Sequence, residues 1–342
     1  MSDPDAIDGL PLPEHRGRAV GHHHVFAAIA DQLARGRLPG AFLLHGPQGI
    51  GKATLAFALI RHILSSTGDE DDHRVDEQIA AGSHPNVAVL RRQARDTGKG
   101  FYTVIRVEDV RRLRDSLHMT RGRAGQRIAV IDTIDDCNPS AANALLKTLE
   151  EPPPDTTFFL ISHRPGQLLP TIKSRCHGVA LRPIADSDVE AVLLSQFPEQ
   201  APAIADAVAL AGGRPRRGFE ALALDGEGAL SALRKWLAHP ADQPSAIHLG
   251  LADILGATTQ SPELSFAREI ITDWLATEAR HAATDAGRRN RLASASTLWE
   301  KAHALFEEAD ALNLDMKQTL VSILDAIKSH SQNHAPLPAE PR

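Results

Sequence analysis

The chain is short of aromatic residues. Phe, Trp and Tyr make up 4% of its 342 residues, so aliphatic side chains and alanine must fill its cores. Its two cysteines, Cys137 and Cys176, are too few for a disulfide framework or a four-cysteine zinc site. No apolar run approaches the roughly 18 residues that a bilayer span requires. Basic charge is not in excess either. The formal net charge is -6, so contact with nucleic acid must come from a local patch or from other chains. The opening MSDPDAIDGLPLPEHRGR is acidic and proline-bearing, unlike a secretory leader. A reducing, cytoplasmic setting without membrane contact is expected.

What is present suffices for two or three domains with their own cores. The hydrophobic fraction of 42% and charged fraction of 23% are ordinary for a globular protein. Residues 1–18 read as an extended arm. From Gly21 a helix begins, with Val25, Ile29 and Leu33 at helical spacing. His22, His23 and His24 are adjacent on it; neighbouring side chains on a helix point about 100° apart, so they do not converge on one metal ion.

Ala41–Leu44 is a short apolar strand running into Gly46-Pro47-Gln48-Gly49-Ile50-Gly51-Lys52-Ala53-Thr54 and then a helical segment. Strand, glycine-rich loop and helix are the setting of a phosphate loop. Its glycines let backbone N–H groups turn toward phosphate oxygens, Lys52 supplies a point charge, and the helix N-terminus adds its dipole. The candidate nucleotide-binding set is therefore Gly46, Gly49, Gly51, Lys52, Ala53 and Thr54, for ATP or ADP with magnesium. Ala53 departs from the motif, which places a metal-ligating hydroxyl there. Thr54 lies about 100° further round the helix and does not replace it.

Residues 65–83 are polar and acidic and read as an exposed excursion, with His73 and His84 solvated. Residues 91–100 form a basic turn. A helix follows, with Val110, Leu113 and Leu117 inward; Arg111, Arg112, Arg114, Arg121 and Arg123 make a basic cluster that is either a solvated face or a phosphate-facing one.

Arg127–Arg175 organises the rest. Ile128–Ile131 is an apolar strand ending in Asp132, the position that holds a magnesium ion beside a phosphate loop. Asn138–Leu149 is a helix capped by Asn138 or Ser140, with Ala142, Leu145, Leu146 and Leu149 on one face. Pro152-Pro153-Pro154 stops it, and Thr157–Ile161 is a second buried strand. Asp135 and Asp136 read as a loop or helix-start pair. With 87–90 and 177–181, these strands describe an α/β doubly wound parallel sheet whose ligand edge gathers Gly46, Asp132 and Ser162.

The run Ala142–Pro153 (ANALLKTLEEPP), followed by Ser174-Arg175-Cys176, resembles the clamp-loader subunits of bacterial DNA polymerase III, AAA+ proteins of the tau/gamma and delta-prime type. The resemblance covers roughly residues 20–330 and is strongest over 38–60 and 105–182; Asn313-Leu314-Asp315 adds to it. It implies an AAA+ domain over 1–183, a helical lid over 184–224 with Val189, Val192, Leu193 and Gln196 in line, and an all-helical collar over 225–330. A disordered tail over 331–342 is expected, and Trp236, Trp274 and Trp299 are the expected large anchors of the collar or its interfaces.

The resemblance also assigns roles. Hydrolysing AAA+ members follow the strand-end Asp with Glu, where this chain has Thr133. That loss, with Ala53, implies that hydrolysis has gone and fits the delta-prime branch better than tau/gamma. Arg175 falls at the family's arginine-finger position, acting in trans on a neighbour's ATP; the other reading is an arginine capping its loop. Arg216 or Arg217 is the candidate second-sensor arginine. Some relatives carry a cysteine-ligated zinc module near residues 65–83; this chain has no cysteine there, so zinc is not expected and no metal-ligand set is assigned. The implied partners are delta and tau/gamma subunits and, through the complex, the sliding clamp and primed DNA. Polymerase activity would belong to the complex. The competing expectation is a self-sufficient AAA+ motor that turns over ATP alone.

Overall fold

The computed structural model describes residues 5–7, 9–66, 71–96, 100–118, 125–225, 228–258, 261–284 and 289–334. Two compact units divide the chain. The first comprises Met1–Ala201 with Ala211–Gly218, the second Pro202–Leu210 with Phe219–Arg342.

In the first unit the elements run α1 (His23–Ala34), β1 (Ala41–His45), α2 (Lys52–Ser65), α3 (Asp72–Ala80), β2 (Val87–Leu90), α4 (Val107–His118), β3 (Arg127–Asp132), α5 (Pro139–Glu150), β4 (Thr156–Ser162), α6 (Pro170–Lys173), β5 (His177–Ala180) and α7 (Asp186–Gln196). The five strands are parallel, in the order β2-β3-β4-β1-β5. Alternate residues of the apolar strands serve opposite faces. Phe42, Leu44, Ile128, Val130, Phe159 and Ile161 pack with α1, α2 and α3. Leu43, Ala129, Ile131, Phe158 and Leu160 pack with α4, α5 and α6. Phe42 and Phe159 stack at 5.2 Å, the aromatic centre of a mainly aliphatic core.

Several expectations need correction. Residues 13–18 are not a free arm: Pro13–His15 is a short 3-10 helix whose Glu14 is buried. The excursion after α2 contains α3, which is amphipathic through only two buried residues, Val75 and Ile79. His84 is buried, and its Nδ1 accepts from the Asn86 N–H at 3.2 Å; His73 is exposed beside Glu77. The inner face of α5 is Ala141, Leu145, Thr148 and Leu149, with Ala142 and Leu146 half-buried at its margin. Gln196 faces solvent. On α4, Arg112 and Arg114 pair with Asp109 and Asp115; Arg121 and Arg123 lie outside the described residues.

The cap of α5 is Asn138, whose side-chain oxygen accepts from the Ala141 N–H at 2.8 Å, with Pro139 starting the helix. Asn138→Ala is expected to lower unfolding free energy by about 1 kcal/mol, read from urea denaturation.

Helices α8 (Ala201–Ala211) and α9 (Pro215–Leu224) straddle the division between the units. The second unit continues with α10 (Ala229–Ala238), α11 (Ser245–Leu255), α12 (Pro262–Thr284), α13 (Arg289–Leu312) and α14 (Met316–Asn333). Trp236 is buried against His248, at 5.4 Å between rings. Trp299 is instead 40% exposed and stacks on His303, one helical turn away. Residues 331–333, expected in the tail, complete α14 and His334 caps it; residues 335–342 lie outside the described residues. Among the described residues no helix is long and apolar enough to cross a membrane.

Candidate functional site

The loop from Gly46 to Gly51 joins β1 to α2 at the C-terminal edge of the sheet. It is knitted in at its base: the Gly46 N–H donates to Ser162 O at 3.3 Å, and the Leu181 N–H donates to His45 O at 2.8 Å. Gly46 (φ +147°) passes so close to the neighbouring chain that a Cβ would stand 2.2 Å from the Leu181 carbonyl oxygen. Gly49 (φ +82°) is pressed by Arg216, whose Cβ would lie 3.0 Å from an added Cβ. Only glycine meets both demands. The far side is held by His22. Its ring is buried, and Nε2 lies 2.8 Å from Ile50 O. A carbonyl oxygen can only accept, so Nε2 carries the proton. Burial pushes the His22 pKa down, with the Ile50 bond opposing, so the ring is neutral.

Lys52, the first residue of α2, is turned into its own loop. Its side chain is buried, and Nζ donates to Gly46 O at 2.8 Å and to Pro47 O at 2.6 Å. Burial lowers its pKa to about 8, against the opposing pull of Asp132 and Asp135. Ala53 and Thr54 are half-buried beyond it.

Asp132, at the end of β3, is paired with Arg91 at 3.1 Å. Asp135 accepts from Ser162 Oγ at 2.8 Å, from the His163 N–H, and from the Arg164 N–H at 3.3 Å. Asp136 pairs with Arg92 at 3.1 Å and accepts from the Thr133 side chain. These carboxylates therefore have structural work. The residues do not fit a magnesium ion: Ala53 brings no oxygen, Asp132 already faces a guanidinium, and Asp135 is bonded to the end of β4.

His163 follows Ser162 at this edge. Among the described residues its buried Nδ1 has no hydrogen-bond partner. Burial and the nearby Lys52 charge hold its pKa down to about 4. A histidine that stays neutral when folded stabilises the fold fully above about pH 6.5, and the contribution is lost as pH falls toward 4. His163→Asn is expected to flatten the stability loss between pH 6.5 and 4 by roughly 2–3 kcal/mol, measured by urea denaturation along a pH series.

Two sites of predicted function lie apart from one another. Arg216, at the start of α9, lies on the loop: its N–H donates to Gly49 O at 3.2 Å, and Nη1 donates to Asp5 O at 2.5 Å. Arg217, the other candidate, is buried. Arg175 sits on the surface after α6, where Nη1 donates to Thr171 O at 3.0 Å and Nη2 pairs with Glu150 at 2.6 Å. Neither of these contacts reaches the loop.

Glu14, Arg91, His22 and His163 were not foreseen as site residues. Arg91 could have been: it directly follows a short strand, as Lys52 follows a glycine loop. Nothing in the sequence marks Glu14.

A parallel five-stranded sheet with strand order β2-β3-β4-β1-β5, a glycine loop after β1 and an aspartate closing β3 defines a P-loop domain of the AAA+ class. Over residues 21–185 the chain matches the family model described as "DNA polymerase III, delta subunit". It is 37% identical over 194 residues to the DNA polymerase III subunit delta' of Pseudomonas aeruginosa, covering 55% of this chain and 57% of that one. To the subunit delta' of Yersinia pestis it is 36% identical over 158 residues, 44% of each chain. The DNA polymerase III subunit gamma/tau of Mycobacterium bovis is 29% identical over 213 residues, 60% of this chain and 36% of that one. The chain spans about half the length of the delta' relatives it matches.

Proposed function

We propose that the chain is a delta-prime-like subunit of a DNA polymerase III clamp loader. In this reading it works with delta and tau/gamma subunits to load the sliding clamp onto primed DNA. It does not hydrolyse ATP itself. It lends Arg175 to a neighbouring subunit's ATP, and Arg216 is the residual second-sensor arginine.

The observation that carries the reading is the inward turn of the loop machinery. Two of the three Lys52 donors go to the loop's own carbonyls, and Asp132 faces Arg91. Thr133, where a catalytic carboxylate is needed, bonds Asp136. Arg175, by contrast, is exposed and, among the described residues, is held by an ion pair and one backbone bond. An assembly role agrees with such a division: a silent site, and an available guanidinium for charge developing on a transferred phosphoryl group.

The test is ATP turnover by the purified chain, then by a loader reconstituted with wild-type chain or Arg175→Ala. Silence alone, together with a slowed assembly, is the expected pair of results. Magnesium-dependent turnover by the isolated chain, at about 1 per second or faster and abolished by Lys52→Ala, would replace this reading with that of a self-sufficient motor.

A further inference from the structure

At Asp132 the chain supplies a cation of its own. Strand pairing puts it there: Leu90 of β2 is in register with Ile131 of β3, so the next residues, Arg91 just beyond β2 and Asp132 at the end of β3, stand side by side at the sheet edge. Arg91 Nε donates to Asp132 Oδ2 at 3.1 Å. Its other two nitrogens are taken by one carboxylate: Nη1 to Glu14 Oε1 at 2.9 Å, and Nη2 to Glu14 Oε2 at 3.0 Å. The guanidinium carbon lies 5.9 Å from the centre of the Phe57 ring on α2. The side chains of Arg91 and Glu14 are 4% and 3% exposed. This is a planar, two-pronged pair shut away from water, the geometry in which an arginine is held most firmly.

Glu14 is itself anchored. Arg61 of α2 donates to the backbone oxygens of Glu14 and Arg16 and pairs with Asp76 of α3 at 2.7 Å. His15 Nε2 lies 2.9 Å from Ala80 O at the end of α3. The clamp therefore belongs to the folded body of the unit. A divalent cation brought to Asp132 would meet a like charge that cannot withdraw without stranding Glu14 in the interior.

We propose that Arg91, clamped by Glu14, is a built-in replacement for the divalent cation at Asp132, so that this carboxylate takes no metal ion. The inference deepens the reading of residues 46–52 as a phosphate loop and is independent of any role for Arg175. It concerns a different property from the loss of a hydroxyl at Ala53: restoring that hydroxyl would leave the guanidinium in place.

The experiment uses Mn2+ as the probe, followed by paramagnetic resonance on the full-length chain, with and without ADP. The expected result for the wild-type chain is no Mn2+ held through Asp132, so that its titration superimposes on that of Asp132→Asn in both conditions. The double variant Glu14→Gln/Arg91→Gln replaces the ion pair by a neutral amide pair and removes the guanidinium from Asp132. It is expected to bind Mn2+ roughly tenfold more tightly or better, and to lose this gain on adding Asp132→Asn. Wild-type binding of Mn2+ that Asp132→Asn removes would overturn the inference, even if Arg175→Ala behaves as expected in the assembly. So would a folded double variant, checked by its melting curve, that gains no metal. The wild-type comparison stands even if the double variant does not fold.

Discussion

Replacing Arg91 by methionine is expected to lower the unfolding free energy by about 3–5 kcal/mol, seen as a lower urea midpoint. Methionine keeps most of the stem's volume but removes the charge. Glu14 is then left in the interior with nothing to neutralise it, and Asp132 loses its partner at 3.1 Å. Breaking a buried pair from one side is costly, whereas replacing both members by neutral groups is often close to neutral. Arg91→Met/Glu14→Gln is therefore expected to recover most of the loss. Acid titration gives an independent check. Burial alone would raise the Glu14 pKa, but the bonds and charge of Arg91 outweigh it and leave it below the ordinary glutamate range. A carboxylate depressed on folding contributes stability above its unfolded pKa, and this is lost as pH falls through the folded value. The acid sensitivity of Glu14→Gln should accordingly be smaller than that of the wild-type chain. Equal stability of Arg91→Met and wild type would show that the buried pair is not a structural element.

Arg175→Ala is expected to have the larger kinetic effect. If the arginine reaches a neighbour's ATP, its loss should slow turnover of the assembled loader by about a thousandfold. The isolated chain should barely notice. Its partner Glu150 is itself about half exposed, and such surface pairs contribute about 0–1 kcal/mol. Melting of the free chain should therefore be unchanged while the assembly slows, a split that a loop-capping arginine would not produce. Arg175→Lys is expected to restore little, because a single ammonium does not reproduce the planar fork. Unchanged turnover in the Arg175→Ala assembly would sink the finger assignment.

Strands β1, β3 and β4 were legible because they are buried on both faces. Runs such as Ala41–Leu44 and Ile128–Ile131 carry no polar residue, and such runs have few other uses in a chain of this composition. The phosphate loop was legible because its glycines and lysine follow in fixed order. Helix α3 was not, because two apolar side chains among acidic neighbours look like a solvated stretch until α2 is alongside. Glu14 was hidden for a deeper reason: a glutamate beside a proline near a terminus reads as solvent-exposed. Its burial depends on Arg91, 77 positions away, and no local pattern encodes that pairing. Choosing between Arg216 and Arg217 as the residue near the loop likewise needed the path of α9 back to Gly49.

The strand order also sets a timetable for biosynthesis. Strand β1 leaves the ribosome well before both of its neighbours in the sheet, β4 and β5, which are encoded far downstream, with Ala41 meeting Phe158 and Phe42 meeting His177. At about 5–20 residues per second, β1 waits on the order of 10 s for its first partner. Throughout that interval Phe42, Leu43 and Leu44 have no strand to pair with, and the loop that follows them cannot close. Early translation thus leaves an aggregation-prone nascent segment, and an inner strand of the finished sheet is among the last to be secured.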